Sequence, residues 1–321
     1  MKPVIVIGSF NVDHVWRCAE LPAVGATIAG RYAHGPGGKG FNQAVASARA
    51  GVRTVFICAL GDDAGGALAR QLAQADSIDL RAEASAEPTG TAGIYVDARG
   101  RNSIVIGAGA NGTLGAAHVT ADAGLYAEAA AVLVQLESPV DAVEAALAAA
   151  RAAGVATVLN PAPANAPTSI GLLRLADLLT PNETEFAALL SRHVGERLEP
   201  DAIAALDGAR LHDLCRKLLP HGTVVVTLGA AGVFVSHAEE QQRGDAQAYY
   251  RVGAESVSAV DTTGAGDAFN GALVAALARE PDAPFAQQVR YASRFAALST
   301  ERAGAALAMP RHAEVQARFP G

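Results

Sequence analysis

Cysteine is scarce in this chain. Cys18, Cys58 and Cys215 are far apart, odd in number and form no CxxC pair. That spacing argues against a disulfide framework and a structural zinc site, and it suits a reduced, cytoplasmic protein. Like charges never run five together, and the formal net charge is −7. Neither nucleic acid nor an anionic membrane is therefore expected as the main partner. Long apolar runs are missing too: the Ala-rich stretch 127–153 carries polar residues at helical spacing, so it is no membrane span. The start, Met1 to Gly8, lacks a signal peptide's apolar core and cleavage site and reads as a first buried strand. No GxxxxGK[ST] occurs, which excludes a P-loop. Internal repeats, low-complexity tails and long linkers are also absent.

What is present is an alternation of apolar strands and amphipathic helices. With 321 residues, 50% of them hydrophobic, the chain can bury a large core, and 1–321 reads as a single domain. Strands are expected at Val4–Ile7, Thr54–Leu60, Ala131–Leu136, Val155–Leu159, Leu175–Leu179 and Val224–Leu228. Helices are expected at Asn42–Ala50 (closed by Gly51), Gly65–Ala75, from Ser138-Pro139-Val140-Asp141 to Ala153 (closed by Gly154), and Asp201–Leu219. Buried strands joined by helices mean a mostly parallel sheet covered on both faces. Residues of about 12–36 and 89–107 break the rhythm with short alternating segments. They read as antiparallel strands forming a small β lid, with Asp97-Ala98-Arg99-Gly100 as a hairpin turn. The polar segment Glu239–Gln247 reads as an exposed hairpin loop.

Open α/β sheets bind ligands beyond the carboxyl ends of their strands. Asn11 and Asp13 follow the first strand, and Glu137 follows Ala131–Leu136. Asn182, Glu183 and Glu185 follow Leu175–Leu179, and Gly229 and Gly232 follow Val224–Leu228. The polar residues suited to chemistry thus fall at one end.

The most informative stretch is Asp261-Thr262-Thr263-Gly264-Ala265-Gly266-Asp267, which runs into an apolar helix. The first amides of a helix lack internal partners, and its dipole is positive there. Small residues let an anion such as phosphate approach them. Asp267 would repel that anion, so its best explanation is chemical: it accepts a proton from a hydroxyl that attacks phosphorus. The plain structural alternative is an acidic residue suiting a helix N-terminus. Gly35-Pro36-Gly37-Gly38-Lys39-Gly40 matches GxGxxG, with Asp62 and Asp63 about twenty residues on. A dinucleotide site is still the weaker reading, because Pro36 sits inside the loop and a lid-like segment precedes it. The loop better suits backbone and Lys39 approaching a polyhydroxyl substrate and its phosphoryl donor. Asn182-Glu183-Thr184-Glu185 offers carboxylates for Mg²⁺ through waters, or a helix cap, or both. Glu137 is either a substrate contact or a solvated cap. The eight histidines show no metal spacing, and His14 reads as a surface residue of the lid.

With these residues in hand, the chain resembles the PfkB-type carbohydrate kinases of the ribokinase family over nearly its whole length. Gly37-Gly38-Lys39-Gly40-Phe41-Asn42-Gln43-Ala44 matches the family's N-terminal signature, and 261–269 matches the C-terminal one. Segments 8–13, 135–139, 160–164 and 180–185 carry further likeness. The resemblance implies a three-layer α/β/α fold with a β lid. It also implies ATP-dependent phosphorylation of a sugar hydroxyl, D-ribose before others. A fructokinase or nucleoside kinase, or a non-catalytic sugar or nucleotide sensor, are the alternatives. By the same resemblance Asp267 is the base, and the amides of Gly264, Ala265 and Gly266 form the anion hole. Asn11, Asp13, Gly38, Lys39, Asn42 and Glu137 hold sugar hydroxyls. Asn182 and Glu185 organise Mg²⁺ and phosphate, and Thr227, Gly229 and Gly232 border the ATP. Asp261 and Thr263 contribute to a monovalent cation site, usually K⁺, and the lid serves as a homodimer contact.

Two departures stand out. Phe41 replaces a small Ala beside the expected sugar site, where a ring would reshape the pocket. Ala303, Ala305 and Ala308 occupy the late loop where relatives often carry Gly or Ser, although backbone carbonyls there could still ligate K⁺.

Overall fold

The computed structural model describes residues 1–239 and 241–320. Its thirteen strands are β1 (Val4–Ile7), β2 (Asn11–Cys18), β3 (Gly30–Gly37), β4 (Thr54–Gly61), β5 (Asp79–Ser85), β6 (Gly90–Val96), β7 (Asn102–Gly107), β8 (Ala131–Val134), β9 (Ala156–Leu159), β10 (Leu178–Leu179), β11 (Thr223–Thr227), β12 (Val233–Ser236) and β13 (Tyr249–Val252). Nine of them form one sheet in the order β13-β12-β11-β10-β9-β8-β1-β4-β5. The pairings from β11 across to β5 are parallel, and β12 and β13 add an antiparallel edge. Successive side chains of a strand point to opposite faces. Ile5 and Ile7 accordingly join one core cluster with Val132, Leu147 and Phe186. Val4 and Val6 join the other, with Phe10, Phe41, Leu273 and Phe295.

The chain runs outward from β1 to β4 and β5, then returns to place β8 on the other side of β1. That reversal opens a crevice where the ends of β1 and β8 meet. Two helices close over it. The helix Ala265–Arg279 buries Asp267 through Ala276 without a break, so it is a central helix, apolar nearly all round. It lies against the helix Lys39–Arg49, whose residues 40–47 are all buried. Gly271 permits that contact: a Cβ there would stand 2.4 Å from the Gln43 carbonyl oxygen and 2.6 Å from the Ala46 methyl. Gly40 does the same at the sheet, where a Cβ would lie 2.5 Å from the Ser9 nitrogen.

Four strands form the separate smaller sheet, β3-β2-β6-β7. Its hairpins β2–β3 and β6–β7 are antiparallel as expected, but its central pair, β2–β6, is parallel. The unit β4–helix–β5 intervenes between the two hairpins, so β6 leaves the main sheet in the same direction as β2. The turn at 97–100 forms, with the Asp97 carboxylate accepting from the Arg99 and Arg101 amides.

Other expectations are corrected by local chemistry. The helix expected over 201–219 is two pieces, Pro200–Ile203 and Gly208–Leu218. Asp207 starts the second by accepting from the Arg210 amide at 2.9 Å. The strand expected at 175–179 keeps only Leu178 and Leu179, because Leu175 and Ala176 donate backwards in a turn. Ser138 does not cap the helix Val140–Ala152; Pro139 holds that position, and the buried Ser138 Oγ lacks a partner. The connection from β12 to β13 is the expected hairpin. Asp245 nevertheless turns inward from it, accepting from Tyr250 Oη at 2.5 Å. Glu240 of that segment lies outside the described residues.

Candidate active site

Asp267 sits in the first turn of the central helix, 7% exposed. The helix begins at Gly264 in the left-handed region (φ 76°), and no side chain caps it. Ala265 N–H donates to the Thr262 carbonyl at 3.2 Å, folding the preceding loop back over the helix start. Asn42 Nδ2 donates to Asp267 Oδ2 at 2.9 Å, and Gln43 Nε2 donates to Oδ1 at 2.9 Å. The two signature segments, 224 and 225 residues apart, thus meet at one carboxylate. Burial pushes Asp267 above the usual carboxylate range; Lys39 and the two amide donors pull it back, and Glu137 adds to the rise.

Glu137 sits just beyond β8. One of its oxygens accepts from Ser9 Oγ at 2.6 Å and from the Lys39 amide at 3.0 Å. This bridge spans the crevice between the ends of β1 and β8. Burial pulls the Lys39 ammonium down, but Asp267, Glu137 and Glu185 outweigh it and leave Lys39 above its ordinary value. Asp13 leans over the same crevice from β2, its oxygens against the Gly37 backbone. Burial, then Glu137 and Asp267, raise its pKa to about 6. Asn11 is 3% exposed, and its Oδ1 accepts from Asn111 Nδ2 at 2.8 Å. Gly38, at φ 87°, holds the turn between β3 and the Lys39 helix. The cluster therefore sets several carboxylates around one lysine, rich in acceptors. A molecule with several hydroxyl donors suits it better than an anion does.

The second group lies along the sheet. Asn182 starts the helix Glu183–Leu189 with a reciprocal cap: Glu185 N–H donates to Asn182 Oδ1 at 2.8 Å, and Asn182 N–H donates to Glu185 Oε2 at 2.9 Å. Burial raises the Glu185 pKa, moderated by the Asn182 amide and Lys39. Asn182 bridges to Thr227 at the end of β11. Gly229 and Gly232 follow, both with positive φ, and a Cβ on Gly232 would lie 2.1 Å from the Val252 carbonyl oxygen. Asp261 stands apart from both groups. Its Oδ1 accepts from the Thr263 amide and hydroxyl (2.9 and 2.6 Å), and its Oδ2 accepts from Gly304 N–H at 3.0 Å.

Phe41 is not where the sequence suggests. Its ring is 1% exposed, with centroids 5.0 Å from Phe10 and 5.8 Å from Phe56, so it fills the core below the site. Asn111, from a short turn after β7, received no role from the sequence. Its side chain pairs with Phe10 N–H and C=O and then orients Asn11. Gln43, Gln135, Asn160, Thr180 and Asn270 also form an unforeseen network, although all lie within or beside the motifs. A cavity of about 770 Å³ lined by Arg290, Tyr291 and Phe319 is separate from this constellation.

The description "pfkB family carbohydrate kinase" matches residues 1–312, and the chain belongs to that family. It is a carbohydrate kinase on a ribokinase-like α/β fold. A ribokinase of Haemophilus influenzae is 38% identical over 316 residues, covering 98% of this chain and 97% of that one. Among solved structures, the ribokinase of Giardia lamblia superposes with a TM-score of 0.86 at 30% identity, covering 99% of this chain and 100% of that one. The Arabidopsis thaliana ribokinase complexed with ribose and ATP gives 0.83 at 29% identity, covering 98% of both.

Proposed function

We propose that this carbohydrate kinase transfers the γ-phosphoryl group of ATP to the exocyclic hydroxyl of D-ribose, giving ribose 5-phosphate. The observation that carries the reading is the buried Asp267, held by Asn42 and Gln43 at an uncapped helix start. The ribokinase names of the relatives support ribose. Asn42 Oδ1 is buried without a partner, an acceptor that a sugar hydroxyl would satisfy. Asn11, Asp13, Gly38, Lys39 and Glu137 complete the sugar contacts. Asp267 takes the proton of the attacking hydroxyl, and the amides of Gly264, Ala265 and Gly266 receive charge developing on the phosphoryl group. Positioning and electrostatics carry most of the rate, since loose phosphoryl transfer asks little of a base.

The tight turn at Gly229–Gly232 leaves backbone open to a nucleotide, which Thr227 and Asn182 border. Glu185 commits one oxygen to the cap and leaves the other free. Among the described residues no group of three or more His, Cys, Asp or Glu could hold a metal ion. The free Glu185 oxygen suits a Mg²⁺ held by phosphates and waters, with Glu185 orienting a water. When bound, the ion would neutralise phosphate charge. Asp261 ties the 261–264 loop to Gly304, bringing together loops whose carbonyls would hold K⁺ beside Thr263. The smaller sheet acts as a lid whose closure excludes water. Its exposed Ile104, Val105, Ile106 and Tyr32 support a homodimer contact there. No described helix is long and apolar enough to cross a membrane; the unpaired cysteines, two of them buried, suit the cytoplasm as the working compartment.

The burial of Phe41 removes the feature that favoured another substrate. ATP-dependent ADP release with Mg²⁺, with and without K⁺, across ribose, 2-deoxyribose, fructose and nucleosides tests the reading. Turnover concentrated on ribose is expected; preference for a nucleoside or fructose would overturn the assignment.

A further inference from the structure

Gln43 is fully buried, and each of its polar atoms is used. Nε2 donates to Asp267 Oδ1 at 2.9 Å and to Asn160 Oδ1 at 3.0 Å, and Oε1 accepts from Gln135 Nε2 at 2.5 Å. The network continues and closes. Asn160 Nδ2 donates to the Thr180 carbonyl at 2.9 Å, Thr180 Oγ1 to Asn270 Oδ1 at 2.5 Å, and Asn270 Nδ2 to the Gly266 carbonyl at 2.8 Å. Gly266 precedes Asp267 in the chain. The ring therefore clamps the catalytic turn from both sides and anchors it to the ends of β9 and β10. A buried amide would normally be spared by an apolar residue unless its bonds do something.

We propose that Gln43 is a positioning residue for the phosphoryl transfer: it fixes the Asp267 carboxylate in its acceptor orientation and couples it to the Gly266 turn. The inference rests on Asp267 acting as the base. A neutral amide suits this place because the carboxylate already faces Glu137, Asp13 and Glu185, with only Lys39 opposing them. Gln43 adds a donor without adding charge. Asn42 cannot replace it, because it bonds the other carboxylate oxygen and its own Oδ1 is buried without a partner.

Two variants of the full-length enzyme test this. Gln43→Leu removes the donor at similar volume. It should lower kcat on ribose by about 10- to 100-fold, by analogy with the residues that orient metal ligands, with little change in sugar KM. Gln43→Glu puts a second carboxyl against Asp267, and the pair should share one proton. With the proton on the introduced carboxyl, Asp267 remains an ionised acceptor. Loss of that proton sets two like charges together, so kcat of the variant should begin to fall at lower pH on the alkaline side than kcat of the parent measured alongside it. Lower thermal stability with unchanged kcat and pH profile would overturn the proposal. Failure of both variants to fold would assign Gln43 to the core alone and overturn it too. If the parent itself shows no sugar-dependent turnover, the kinase reading fails, which is distinct from a working parent with unaffected variants.

Discussion

Replacing Asp13 by Asn separates the cost of the site from its use. Unfolded, the Asp13 carboxyl releases its proton near 3.8; folded, it holds it to about 6, because burial and the charges of Glu137 and Asp267 oppose ionisation. The unfolded chain thus ionises first as pH rises, and the native protein loses stability between about pH 4 and pH 6. The penalty is complete above pH 6 and absent below pH 4. At 1.36 kcal/mol per pH unit the full displacement is worth about 3 kcal/mol. The side chain keeps some contact with water, which brings the expectation to about 1–3 kcal/mol. Asn cannot titrate. Asp13→Asn should therefore be more stable than the parent by that amount at pH 7.5, and no more stable at pH 4. Urea melts of both proteins at the two pH values measure the gap. Ribose phosphorylation should fall in the same variant, through a raised KM for the sugar. An equal stability gap at both pH values, or none at pH 7.5, would refute the assignment of strain to this carboxylate.

Phe41→Ala should cost about 3–5 kcal/mol in chemical denaturation, as expected for an emptied core site, while sugar preference stays the same. A changed preference at undiminished stability would contradict the burial of that ring. Gly40→Ala should destabilise by about 3 kcal/mol in the same assay, since its Cβ would meet the Gly8–Ser9 backbone. Parent-like stability there would mean that the helix is free to move off the sheet.

Much of this was legible because burial leaves a plain mark. The apolar runs of β1 and β4 and the glycines closing the helices at 51 and 154 all appear where the pattern put them. The smaller sheet was visible as alternation, but its parallel central pair was not, since that depends on how two distant hairpins meet. The helix over 201–219 broke because Asp207 offers a local cap that outcompetes continuation. Residues such as Asp267, Lys39 and Glu137 could be singled out because charge at a strand end or helix start is conspicuous. Gln43 and Asn111 could not: a lone amide gains meaning only from its partners, here separated by 224 and 100 residues. Phe41 misled for the opposite reason. Its neighbours in sequence face the crevice, while a helix turns successive side chains by about 100° and sends this one into the core.

The central claim is that Asp267 accepts the sugar proton. Asp267→Asn keeps the volume and removes the acceptor charge; its amide nitrogen must face Asn42, whose partnerless Oδ1 can turn to accept it while Gln43 keeps its bond. Ribose-dependent ADP release should drop by about 100-fold or more in kcat, with the protein folded and ribose still bound. Turnover within a few-fold of the parent would contradict the account.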